Sequence, residues 1–269
     1  MSIVIKGSKK SKTDGPFKVT DMIFEGIKSL NDQKQAKFVE SRVSSEVPST
    51  VIYASSIGYC ARRWAFNQVI GREKDGSFSK ETLLIFADGD ATEDTLLKAL
   101  NASSTFRLTG TQRSHVSSLP NNEHWQVRGR SDIEGVDLTS GVAFPIEVKS
   151  MNIRNFSSAS VFGGQKAHFA QLAFYVYVGN FTIGRLLYKE KDSAQMQEFE
   201  LNYQEAEEIT TRNLDLYSQA VDSLSQGQGL LPLLGKVPAE LTTPDECKYC
   251  KYAVECSRAS VVKDEGLPF

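Results

Sequence analysis

Residues 127–150 read VRGRSDIEGVDLTSGVAFPIEVKS, and the choice of fold turns on them. Glu147 and Lys149 stand two apart in an apolar run with Phe144, Ile146 and Val148. Side chains alternate along a strand, so in a strand these two charges share one face. Asp137 to Gly141 (DLTSG) is turn chemistry between two strand-like segments. A hairpin closing there sets Asp132 on the strand beside Glu147. Two carboxylates and an ammonium converging on one spot can hold magnesium or manganese and activate water. Alternating charge on a strand more often marks a solvated face. Here Pro145, Ile146 and Val148 imply burial, where an unpaired charge is costly.

Upstream of this stretch the apolar spacing predicts helices over residues 19–30, 55–70 and 80–100, the second capped by Ser55-Ser56. A turn-rich loop is expected over 71–79. Strands are expected over 105–116, 125–134 and 142–149, followed by a Ser/Gly-rich loop over 151–164. Downstream come a helix over 165–178, strands over 182–189 and 195–201, and a helix over 203–224. Helices, a strand meander, then helix, strands and helix describe an α/β sheet flanked by helices.

The chain has 269 residues, enough for a full core, and its net charge of −2 gives no global field for nucleic acid. Any basic groove must be local. The opening MSIVIKGSKKSKTDG lacks a signal-peptide pattern and no run approaches a membrane span, so a cytoplasmic protein without membrane contact is expected. In that setting Cys60, Cys247, Cys250 and Cys256 suit a metal or cluster better than disulfides. One distant cysteine with a compact group of three is unusual for zinc and fits a cubane held by four thiolates. The two chain ends must then meet in space.

Weaker signals surround these. Gln171 and Tyr175 lie four apart on one helix face, and Glu93 stands one turn after Gly89. Alone, each reads as an ordinary core or surface residue. His115, His124 and His168 fall outside every motif, and ordinary packing is the better reading for each.

In order and spacing, Gly89 to Glu93, Gly129 to Asp132, Glu147 to Lys149 and Gln171 to Tyr175, enclosed by Cys60 and the three C-terminal cysteines, resemble the RecB-like branch of the PD-(D/E)XK nuclease superfamily. Within it they look like the iron–sulfur exonucleases of CRISPR adaptation modules and their phage-borne relatives. The resemblance covers residues 52–256. It implies a restriction-endonuclease-like mixed sheet and a magnesium- or manganese-dependent deoxyribonuclease acting on single-stranded DNA or DNA ends. The implied setting is CRISPR adaptation, antiviral defence, recombination or repair, with proteins of those systems as partners. It implies that Asp132, Glu147 and the Val148 carbonyl hold the metal, with Glu93 where the family places a histidine, and that Lys149 orients or helps deprotonate the attacking water. Gln171 and Tyr175 would position the DNA backbone. Arg128, Arg130, Arg154 and Lys166 are candidate phosphate contacts, with Arg62 and Arg63 contributing from the cysteine side. A 4Fe–4S cluster on Cys60, Cys247, Cys250 and Cys256 would be structural.

The expected organisation is a mobile tail over 1–16, an N-terminal helical region over 17–100 carrying Cys60 and Glu93, a nuclease core over 101–226, and an iron–sulfur segment over 227–269 forming one compact unit with the core. A homo-oligomer occurs in this branch, but no residue here assigns one. The rival readings are a non-catalytic DNA-binding or assembly subunit that keeps the fold, and a zinc-dependent interaction module.

Overall fold

The computed structural model describes residues 23, 25–30, 32–33, 50–69, 79–225, 247–248 and 250–256. The chain divides into two compact units, residues 1–46 with 78–87, and residues 47–77 with 88–269. In the first, the described residues between 23 and 33 are helical, in keeping with the predicted helix over 19–30. Expectations for residues 1–16, 71–78 and most of 227–269 lie outside the described residues.

The second unit is a mixed six-stranded sheet flanked by helices, a restriction-endonuclease-like core. Its strands are β1 (Val51–Tyr53), β2 (Phe106–Leu119), β3 (Asn122–Asp137), β4 (Ala143–Met151), β5 (Ile183–Glu190) and β6 (Met196–Asn202). Its helices are α1 (Ala61–Val69), α2 (Lys80–Asn101, of which residues 88–101 belong here), α3 (Ile153–Phe162), α4 (Lys166–Val178) and α5 (Tyr203–Ser225).

The hairpin read from residues 127–150 is present, β3 and β4 pairing antiparallel with Ile133 opposite Ile146. Asp137 closes its turn by accepting from the Thr139 N–H at 2.9 Å and the Ser140 hydroxyl at 2.7 Å. Beyond Ile146, β4 pairs in parallel with β5 through Met151. β2 runs along one edge of β3. The other edge is shared, since β1 takes residues 126–128 and β4 takes 133–136. Gly129 to Asp132 therefore has no strand neighbour on that side among the described residues. The sheet splits there.

Alternation along β5 sends Leu186 and Tyr188 to one face and Leu187 to the other. The Leu186 face carries α4, whose run Ala170–Val176 is buried on every side and lies between the sheet and α5. The Leu187 face carries Leu97 and Leu100 of α2 with Phe106, Ile133 and Ile146.

Two local expectations fail. The Ser/Gly-rich residues 151–164 contain helix α3, capped by Asn152, whose side chain accepts from the Asn155 N–H, and closed by Gly163 at φ 79°. Phe156 and Ala159, three apart and buried, give it an apolar face that the serines hide. The helix expected from Ser55-Ser56 starts later. Residues Ala54–Ser56 form a 3-10 turn, and α1 begins at Ala61.

Candidate active site

The split in the sheet is where the carboxylates meet. Continued past Ile133 and Ile146, the ladder would pair Asp132 with Glu147. Instead the Asp132 Oδ2 accepts the Val148 N–H at 2.8 Å, so a side chain replaces the missing strand bond. Alternation also slips in β3. Val127 and Gly129 face α4, yet Ile133 and Gly135 pack with Phe106 on the opposite face. The slip falls at Asp132, opposite Gln112, which sits in the left-handed region at φ 50°. A regular strand would not turn Asp132 toward β4 in this way.

Glu147 and Lys149 share the α4 face of β4, as their spacing requires. Lys149 Nζ lies 2.5 Å from Glu147 Oε1, while Glu147 Oε2 is buried without a hydrogen-bond donor. Glu93, on α2, accepts from Gln112 Nε2 at 2.7 Å. Burial and the Glu147 charge push Asp132 up to about 7. Burial alone dominates the upward shift of Glu147. Burial, then the Asp132 charge, raises Glu93. Burial pulls Lys149 down, but the charges of Glu147 and Asp132 outweigh it and leave the ammonium above its usual range. The charges of three carboxylates thus act on the Lys149 ammonium.

Gln171 Nε2 donates to Tyr175 Oη at 3.1 Å. Tyr175 is only 2% exposed, and the Arg130 backbone N–H in the strand gap also reaches its hydroxyl. Its ring leaves room for no side chain at Gly129, where a Cβ would stand 2.7 Å from Cε1. Arg130, Arg154 and Lys166 are exposed and Arg128 is half-buried, held to Gln126 Oε1 at 2.8 Å. Arg62 departs from expectation. It is buried and donates to Cys256 Sγ at 3.7 Å, so it belongs to the cysteine site rather than to a DNA surface. Arg63 is exposed.

The region after Cys60 and the described C-terminal segment do meet. Tyr252 stacks on Phe66 of α1 with ring centroids 5.3 Å apart, and Cys250 and Cys256 pack against the same core. Cys60, just before α1, is raised chiefly by burial and further by the nearby Cys256 and Cys247. All four cysteines are free thiols. Among the described residues no group of three or more His, Cys, Asp or Glu side chains is disposed to hold a metal ion, and no helix is long and apolar enough to cross a membrane.

Several residues around the site carry no motif. Gln112 bridges Glu93 and the slip in β3. Glu134, 1% exposed, accepts from Ser131 at 2.7 Å and contacts His115 Nε2 at 2.8 Å and Arg113 Nη1 at 3.3 Å. His115 lies against Tyr175, with centroids 5.3 Å apart. Glu134 lies two after Asp132, and that proximity is the one sequence signal it gives.

No protein-family model matches the sequence, and no curated protein matches it. Among solved structures, the crystal structure of SSO0001 superposes with a TM-score of 0.51 at 16% identity, over 88% of this chain and 95% of that one. The alkaline exonuclease LHK-Exo from Laribacter hongkongensis gives a TM-score of 0.42 at 12% identity, over 66% of this chain and 92% of that one. At these identities the likeness to SSO0001 is one of fold.

Proposed function

We propose that this chain is a divalent-metal-dependent deoxyribonuclease, acting as an exonuclease on single-stranded DNA or DNA ends. The observation that carries the reading is the meeting of Asp132, Glu147 and Lys149 at the split in the sheet. In donor chemistry Asp132 and Glu147 suit a divalent cation. Asp132 is raised to about 7 by burial and by its neighbour's charge, and Glu147 Oε2 is buried with no donor. Such a crowded set of hard oxygens gains when a small dication replaces protons. Asp132, Glu147 and the Val148 carbonyl would hold it, with Glu93 adding an oxygen across the gap. The bound ion would supply Lewis acidity at the scissile phosphate and lower the pKa of water.

The chain's own groups do the rest. Lys149, kept charged by Glu147 and Asp132, donates to the attacking water or to a non-bridging phosphate oxygen. Tyr175 fixes the Gly129–Asp132 segment, and Gln171 beside it faces the backbone of the DNA. Arg128, Arg130, Arg154 and Lys166 supply phosphate contacts around the site. Cys60, Cys247, Cys250 and Cys256 match a 4Fe–4S cluster in donor type, and their place between α1 and the C-terminal segment suits a structural staple. With that cluster, the chain would serve CRISPR adaptation or phage recombination and repair.

The test uses purified protein with single- and double-stranded DNA labelled at either end, in magnesium or manganese. Wild type should cut, while Glu147→Ala and Lys149→Ala should not, with near-native melting. Cleavage by Lys149→Ala would sink the site assignment. DNA binding without cleavage would identify a non-catalytic subunit. Brown protein with visible absorption carries iron–sulfur; colourless protein with stoichiometric zinc removes that assignment.

A further inference from the structure

His168 has no place in the motifs, yet its surroundings are those of a working side chain. It lies on α4 three residues before Gln171 and seven before Tyr175, and so on the face that meets the sheet. Its Nδ1 is 3.0 Å from Tyr188 Oη, and the same hydroxyl accepts the Gln165 backbone N–H at 3.0 Å. Tyr188 is fully buried, edge-on to His168 and Phe199. The only acceptor within reach of its proton among the described residues is His168 Nδ1. The phenol therefore donates to Nδ1, which places the imidazole proton on Nε2, at the far edge of the ring.

Tyr188 is the register partner of Lys149 across β4 and β5, so both side chains emerge on one face. The Lys149 charge acts on both Tyr188 and His168, which puts the three in one patch. Burial, then that charge, lowers His168 to about 4. The ring is neutral at physiological pH and partly buried, and its Nε2–H has no partner among the described residues. A packing histidine does not need a buried tyrosine to fix its tautomer.

We propose that His168 is a substrate-binding residue whose Nε2–H donates to a non-bridging oxygen of a DNA phosphate flanking the scissile bond. Tyr188 is the positioning residue that fixes the donor tautomer. Lys149 is left to the scissile phosphate itself. A neutral donor suits this place, because a second cation would compete with Lys149 for Glu147 and with a divalent ion for the carboxylates. The inference rests on the nuclease reading and adds a specific phosphate contact to it.

The test combines oligonucleotide affinity, read by anisotropy in EDTA, with single-turnover and steady-state cleavage in magnesium or manganese. Substrates carry one methylphosphonate at successive positions. His168→Leu should weaken DNA binding about tenfold to a hundredfold, the scale of a hydrogen bond to a charged group, and raise KM more than it lowers kcat. His168→Gln, whose amide N–H reaches toward the Nε2 position, should recover most of the loss, and Tyr188→Phe should fall between. One flanking methylphosphonate should cost wild type about as much as His168→Leu does, and cost that variant nothing more. If every methylphosphonate penalises His168→Leu as it does wild type, the contact does not exist. Should His168→Leu misfold, His168→Gln with the methylphosphonate series decides: equal penalties at all positions in both proteins, with unequal affinities, overturn it. Wild-type protein that fails to cut any DNA sinks the nuclease reading and this inference together. Wild type that cuts, with His168→Leu equal to it in affinity and KM, sinks this inference alone.

Discussion

Replacing Asp132 with Asn should stabilise the metal-free protein, and by an amount that grows with pH. The folded carboxyl is raised from 3.8 to about 7 by burial and the Glu147 charge. Between those values the folded state binds the proton that the unfolded chain releases, so the group's favourable contribution is lost as pH rises toward 7. From pH 5 to pH 8 about two of the three units are crossed, at ~1.4 kcal/mol each. Asp132 keeps some contact with solvent, and discounting for it leaves about 1.5–2.5 kcal/mol. The substitution removes this loss but keeps an amide oxygen to accept the Val148 N–H. The lowered His168 works in the opposite sense between about 4 and 6.5, because the folded ring resists the proton that the unfolded one takes up. The wild-type curve alone is therefore ambiguous, and the difference between proteins is the quantity to measure. In EDTA, denaturant titrations at pH 5 and pH 8 should show Asp132→Asn gaining about 1.5–2.5 kcal/mol on wild type between the two conditions. That corresponds to a relative gain in Tm of roughly 3–10 °C. Magnesium or manganese at pH 8 should close the gap by stabilising wild type alone. A difference that does not change with pH, or a variant that loses stability at pH 8, would refute the crowded-carboxylate account.

Gly129→Ala places a Cβ 2.5 Å from Ala54 Cβ and 2.7 Å from the Tyr175 ring, and should cost about 2–3 kcal/mol in chemical denaturation. A cost under ~0.5 kcal/mol would mean that Tyr175 does not hold the strand gap. Tyr252→Ala removes the ring stacked on Phe66 and should cost about 3–4 kcal/mol; an unchanged stability would show that the C-terminal segment is not docked on α1. In apo protein at pH 8, iodoacetamide should label exposed Cys247 roughly tenfold faster than Cys60, whose thiol burial raises. Equal rates, read by peptide mass spectrometry, would remove the buried environment assigned to Cys60.

The hairpin was legible because its signals are local. Period-two spacing set Glu147 and Lys149 on one face, DLTSG marked the turn, and antiparallel pairing followed. That α1 and residues 250–256 lie together follows from the four cysteines if they serve one site. Helix α3 could not be read, since five serines and glycines in residues 151–164 hide the Phe156–Ala159 face that tertiary packing selects. Arg62 looked like a surface cation and is instead spent on a cysteine sulfur. His168 and Gln112 act through partners 20 and 19 residues away, Tyr188 and Glu93, and no local pattern records such pairings.

One irregularity accounts for several of these features. A continuous β3–β4 ladder would leave Asp132 projecting from a face and give the Val148 N–H to a backbone carbonyl. Because β1 and β4 divide one edge of β3, residues 129–132 lack a strand partner there among the described residues, and side chains satisfy backbone groups instead. Asp132 takes the Val148 N–H, and the Tyr175 hydroxyl lies beside the Arg130 backbone. Gly129 is required because Tyr175 occupies the space of a Cβ. Gln112 leaves the ordinary strand region opposite the slip and ties Glu93 to it. The motif Gly129-x-x-Asp132 is thus the sequence trace of a split sheet, and the split is what lets carboxylates from two strands and a helix approach one another in a buried place. Burying like charges so near one another is costly, and that cost is the physical ground for proposing that a cation binds among them.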